Sequence, residues 1–162
     1  MVSMTIASFV LLGVFSTFLF IGRTSVRLSQ YSEMESQARA TFEAFGLDCR
    51  TATNAAWSNA NTLTLTNTGI SIVYRYDATA GTFSRTASGT TRTIARNISS
   101  FSFKAFDINL NELNVASSAT TIGPATKMIQ VTMDLSRQAT TTTAATQRVV
   151  SARFVLRNKK VS

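Results

Sequence analysis

Catalysis or metal binding in this 162-residue chain would have to proceed without histidine, because the sequence has none. That removes the commonest general base, the commonest zinc ligand and the side chain that switches charge near neutral pH. The single cysteine, Cys49, cannot form an intramolecular disulfide, and an isolated cysteine is more often a small buried hydrophobe than a nucleophile. Asp77, Asp107, Glu112 and Asp134 are scattered, with neither a nucleophile motif nor metal-ligand spacing around them. No catalytic residue, metal or cofactor is therefore expected, and a membrane-anchored enzyme is the weakest functional class. Asn97-Ile98-Ser99 matches a glycosylation acceptor, a tripeptide that arises readily by chance.

The formal net charge is +8, from 16 Lys and Arg against 8 Asp and Glu. The basic residues are spread from Arg23 to Lys160, whereas a nucleic-acid groove would gather them on one element with aromatics between. Nucleic acid is a possible partner without support from this pattern.

The chemistry that remains is packing, and it is concentrated at the amino terminus. Residues 1–21 read MVSMTIASFVLLGVFSTFLFI, without a charged side chain and with 14 Met, Val, Ile, Leu or Phe. As a helix the run is roughly 30 Å long, the thickness of a bilayer's hydrocarbon core. Ser3, Thr5, Ser8, Ser16 and Thr17 are tolerable there because their hydroxyls can bond to carbonyls one turn back. A core helix would show a polar face and none is present, and a cleaved signal would open on Lys or Arg and close on small residues. The residues expected to meet lipid or other helices are Ile6, Ala7, Phe9, Val10, Leu11, Gly13, Val14, Phe15, Phe18 and Leu19.

No proline or turn cluster comes next, so the helix is expected to run on to Phe45 and to end at Gly46, about 65 Å in all. In this extension Tyr31, Met34, Ala38, Phe42 and Phe45 fall three and four apart, a stripe expected to carry a globular domain. The organisation reads as a membrane or filament-core helix over 1–22, its amphipathic continuation over 23–46 and one β domain over 47–162.

Residues 47–61 read as a loop with Trp57 packed back onto the domain. Beyond it, Thr62–Thr66, the turn residues Asn67-Thr68-Gly69 and the alternating Ile70, Ile72, Tyr74 and Tyr76 make a hairpin. Short strands are expected at 82–86, 92–96 and 100–106, the last with Phe101 and Phe103 on one face. Residues 107–125, with the only proline, Pro124, read as a long surface loop or a small excursion. Ile129, Val131, Met133 and Leu135 and then Val150, Ala152, Phe154 and Leu156 are the inward positions of a final hairpin, joined by the Thr- and Ala-rich connection 138–147. The tail Arg157-Asn158-Lys159-Lys160 reads as a solvated end. The fold class is α+β, a long amino-terminal helix on a carboxyl-terminal antiparallel sheet domain.

A charge-free helix, its amphipathic extension and then short antiparallel strands, in that order, resemble the type IV pilin superfamily. The opening MVSMTIASFVLL is similar to the segment just beyond the peptidase site in prepilins. Ile72-Val73-Tyr74-Arg75-Tyr76-Asp77, Gly81-Thr82-Phe83-Ser84-Arg85 and Ala152-Arg153-Phe154-Val155-Leu156-Arg157-Asn158 are similar to phrases of J-type minor pseudopilins and W-type minor pilins. The resemblance implies a structural subunit of a type II secretion pseudopilus or type IV pilus. Its partners would be other pilin or pseudopilin subunits through the helix, the bacterial inner membrane before assembly, and prepilin peptidase if a leader precedes Met1. Localisation would be the inner membrane with a periplasmic domain, or a periplasmic or extracellular filament. The family's early glutamate has no counterpart here, and Arg23 and Arg27 lie after the helix where the positive-inside rule would place the cytoplasm. Both observations lead to the expectation that the mature helix begins a few residues before Met1. A major pilin, or a membrane-anchored binding module such as an adhesin or DNA-uptake minor pilin using its basic β domain, is the alternative.

Overall fold

A computed structural model describes residues 2–116, 119–137 and 146–160. One helix, α1, runs unbroken over Val2–Thr51, 50 residues and about 75 Å at the standard rise. Nothing in its sequence stops it earlier, since Gly13, Gly22 and Gly46 each cost about 1 kcal/mol against alanine and none is followed by proline.

Among the described residues nine strands and one short helix come after it, giving the α+β class expected. Strands β1 (Asn54–Asn59), β2 (Thr62–Asn67), β3 (Ile70–Asp77), β4 (Thr82–Ala87) and β5 (Thr90–Ala95) form an antiparallel meander in that order. Strands β6 (Ile98–Phe106), β7 (Glu112–Leu113), β8 (Met128–Arg137) and β9 (Thr146–Val155) form a second antiparallel sheet, ordered β7-β6-β8-β9. The single sheet expected from the short strands is thus two. The break falls at Asn97, a non-glycine residue with φ 58°, after which β6 leaves the first sheet and pairs β8.

Two hairpins are closed by the turn chemistry their sequences carry. Thr68-Gly69 and Ser88-Gly89 have φ of 46° and 85°, and 50° and 77°. Positive φ at both central residues is the twist-matched geometry for a two-residue hairpin loop.

The core is aromatic and joins the sheets to α1. The Phe45 ring lies 4.8 Å from Tyr74 of β3, 6.2 Å from Phe103 of β6 and 5.1 Å from Phe154 of β9. Phe101 stacks on Tyr76 at 4.7 Å and meets Phe83 at 4.9 Å, so the sheets share one cluster. Ile129, Val131, Met133 and Leu135 are all buried on β8, and beside them Leu156, just past β9, is buried and Phe154 half-buried, as their alternation requires. Ile70, expected on the inner face of β3, is 52% exposed, because it sits at the hairpin tip beyond the cover of α1.

Several expected boundaries move. The helix does not end at Gly46: a Cβ there would lie 3.0 Å from the Phe154 ring, so this glycine admits β9 against the helix. The buried stripe then continues through Asp48, Cys49 and Ala52. Residues 47–61 are not a loop, since they hold the end of α1 and β1, and Trp57 is buried as a strand residue. Residues 107–125 hold β7 and a helix, α2 (Ala119–Ala125), lying over β1, where a Cβ on Gly123 would fall 2.6 Å from the Ala55 carbonyl oxygen. Pro124 is accommodated because it stands in the last turn of α2. Lys159 is buried rather than solvated: its ammonium donates to the Pro124 carbonyl, and Lys127 Nζ donates to the Lys159 carbonyl at 2.7 Å. Burial, reinforced by the Lys127 charge, lowers the Lys159 pKa. Of the 138–147 connection, residues 138–145 lie outside the described residues.

Candidate functional site

The candidate site is the amino-terminal half of α1, and its geometry is set by what holds the other half. Met34, Ala38, Thr41, Phe45, Cys49 and Ala52 are buried at helical spacing. Phe42 is half-buried on the flank, its ring 5.9 Å from Phe154. Tyr31, expected at the head of this stripe, is 43% exposed, and the first buried position of the stripe is Met34.

Polar contacts fix the helix as well as apolar ones. Thr41 Oγ1 lies 2.8 Å from the Gln37 carbonyl and 2.9 Å from that of Ile94 on β5, so its one proton serves either the helix or the sheet. Asp48 is the centre of a buried cluster that no motif announced. The Tyr74 hydroxyl donates to its Oδ2 at 2.6 Å, and Arg85 donates from Nε to Oδ2 at 2.7 Å and from Nη2 to Oδ1 at 3.2 Å. Tyr74 and Arg85 are directly opposite each other on β3 and β4, so one cross-strand pair grips one helix carboxylate. Burial first, then the bond to Asp48, raises the Tyr74 pKa and keeps it a donor; the bond to Asp48 raises that of Arg85. Cys49, beside this cluster, is fully buried, and desolvation first and then Asp48 raise its thiol pKa, which disfavours the thiolate that nucleophilic chemistry needs.

Among the described residues nothing comparable touches the first half. Phe9, Phe15 and Phe18 are 76%, 64% and 71% exposed, and Ala7, Val10, Leu11, Gly13, Val14 and Leu19 are exposed too. The side chain of Ile6 lies outside the described residues. These positions occur on every side of the helix, since 9, 10, 11 and 12 are successive 100° steps. A Cβ on Gly13 would meet nothing within 4 Å, so the fold of the single chain has no need of glycine there.

Two hydroxyls in this half close on the helix itself. Thr17 Oγ1 donates to the Gly13 carbonyl at 2.9 Å, as the sequence suggested, and Thr24 Oγ1 does the same to Phe20 at 2.9 Å. A helix closes its backbone hydrogen bonds on itself and so can enter hydrocarbon without orphaned backbone groups. By length and composition α1 can cross a membrane.

Among the described residues no group of three or more Cys, Asp or Glu side chains is placed to hold a metal ion. The sequence located the bare half and most of the stripe; it missed the Asp48 cluster. The available signal was Asp48 itself, three residues after Phe45 on the buried stripe, where a carboxylate demands partners. No protein-family model matches this chain, and no curated protein matches it.

Proposed function

We propose that this chain is a structural subunit of a type II secretion pseudopilus or type IV pilus, a minor pilin or pseudopilin, that assembles through the first half of α1. Before assembly the helix holds the chain in the bacterial inner membrane with the β domain on the periplasmic side; in the filament the same surface packs against helices of other subunits. The observation that carries this reading is the exposure of large apolar side chains all around residues 9–21, in a helix whose other half is clamped to a folded domain. Such a surface needs an apolar environment supplied from outside the chain.

Exchange of lipid for helix contacts gains little from hydrophobicity and depends on close approach, which Ala7, Ser8 and Gly13 permit. Gly13→Leu therefore separates a filament subunit from a plain anchor. The variant remains apolar and should enter membranes like the unaltered chain, yet be missing from filaments sheared off cells that assemble them. Filaments that incorporate Gly13→Leu at the normal level would overturn the packing mechanism and leave an anchored β domain.

A further inference from the structure

We propose that the turn between β6 and β7, Asp107–Glu112, seats in the groove between α1 and β9 of a second copy of this chain. The inference rests on the reading of α1 as a helix that packs against helices of other subunits, and takes one of those subunits to be a second copy of this chain.

The groove is about 490 Å³, with Phe42, Gly46 and Phe154 in its floor and Leu47, 63% exposed, on its lip. Arg39 and Arg50 stand over it with one carboxylate, Glu43. Beyond the shared Gly46–Phe154 floor it opens into a second hollow of about 200 Å³ between Arg50, Arg157 and Val155. Arg153 also borders that hollow, but its guanidinium is engaged elsewhere, donating to Gln130 Oε1 at 2.9 Å and lying 4.1 Å from the Phe106 ring. Among the described residues neither Arg50 nor Arg157 forms an ion pair. The groove is thus apolar below and positive above.

The turn has the opposite character. Asp107 accepts from the backbone N–H groups of Asn109 and Asn111, both at 2.8 Å, and from Asn111 Nδ2 at 2.9 Å. These bonds hold Leu110 at φ 69°, a left-handed conformation unfavourable for leucine. The outcome is two large apolar side chains held in water, Ile108 at 64% and Leu110 at 59% exposure, between two acids, Asp107 and Glu112. Glu112 is 3.0 Å from Lys104 in a pair that is exposed on both sides and therefore weakly held.

The topology lets the two surfaces meet. Phe106, Met128 and Val155 lie in one row across β6, β8 and β9, so the turn just after Phe106 and the hollow beside Val155 are at the same end of the second sheet. They sit at its opposite edges, β7 and β9. A copy placed beside the first along the strand-to-strand direction, with its helix parallel, brings its turn to the groove. Ile108 and Leu110 then cover the Phe42–Phe154 floor while Asp107 and Glu112 face Arg50 and Arg157, which offsets locally the repulsion between chains of +8 charge. Two different surfaces joined in this way repeat from copy to copy, closing into a ring or continuing as an open array according to the rotation between copies.

The test is disulfide capture between full-length chains in one membrane. Leu47→Cys and Leu110→Cys chains, distinguishable by a tag, are co-inserted and oxidised with copper phenanthroline, alongside Val10→Cys chains that report helix-to-helix contact. The proposal predicts a mixed dimer of the two variants, no dimer of either alone, loss of the mixed dimer on adding Arg50→Glu, and its recovery when Glu112→Arg is present on the other chain. Helix crosslinking by Val10→Cys without the mixed dimer overturns the proposal and leaves the filament reading standing. Absence of both crosslinks overturns the proposal, and incorporation of Gly13→Leu into filaments decides the filament reading separately. Capture of Leu110→Cys with itself as readily as with Leu47→Cys also overturns the proposal, since the turn would then meet another turn.

Discussion

The two halves of α1 are one continuous helix and behave as different materials. Over residues 34–52 a stripe is buried and the opposite side, with Glu43, Leu47 and Arg50, stays in water. Over 9–21 every side is apolar and every side is exposed. Helix propensity does not distinguish the halves; the angular distribution of apolar residues does. A stripe specifies one face and therefore one partner, here the two sheets of the same chain. An all-round apolar surface specifies an environment, which the chain cannot provide for itself.

Substitutions confined to one half should leave the other unaffected. The largest effect is expected from Phe45→Ala, which empties the centre of the aromatic cluster and should cost the β domain ~3–5 kcal/mol in urea unfolding while membrane insertion is retained. Leu12→Arg is the converse, expected to cost ~3 kcal/mol of insertion at the helix centre and to leave the unfolding midpoint of the domain in place. Asp48→Ala removes the acceptor of the buried Tyr74 hydroxyl and the carboxylate facing Arg85, and should destabilise the domain by ~1–3 kcal/mol. Tyr74→Phe, which takes away only a donor, should cost less, about 1 kcal/mol.

The smallest effect is a pH dependence confined to the β domain. Backbone N–H groups of Ala80 and Thr79 hold the Asp77 carboxyl below its ordinary pKa of 3.8, and the Asn111 side chain leads the groups that do the same for Asp107. A carboxyl with its folded pKa depressed contributes stability that is complete above the unfolded pKa and is lost as pH falls through the folded one. Domain stability should therefore hold down to about pH 4 and decline in more acid solution. Asp107→Asn should flatten that decline slightly, and membrane insertion should not respond.

Legibility in the sequence divides along the same contrast. The bare half needed only composition and length. The hairpin at Thr68-Gly69 and the inward positions of β8 and β9 were legible because a period of two and a turn requiring positive φ are local signals. The end of α1 was not, because Gly46 is a stop residue by local rules and a contact residue by tertiary ones, and only the position of Phe154 decides between them. Nor was the division into two sheets, which depends on where β6 pairs. Tyr31 continued the stripe by spacing but is 43% exposed, which spacing cannot reveal. The grip of Tyr74 and Arg85 on Asp48 joins residues 26 and 37 positions apart, and no short-range pattern encodes it.

The account turns on the claim that the first half of α1 meets an apolar environment on all sides. A single-cysteine scan of residues 9–21 on a Cys49→Ser background, in membranes and probed with a water-soluble maleimide, tests this directly. The account predicts uniform protection at every scanned position, with labelling restored by detergent and urea together. Labelling that rises and falls every three to four residues would contradict it, because one face of the helix would then lie in water.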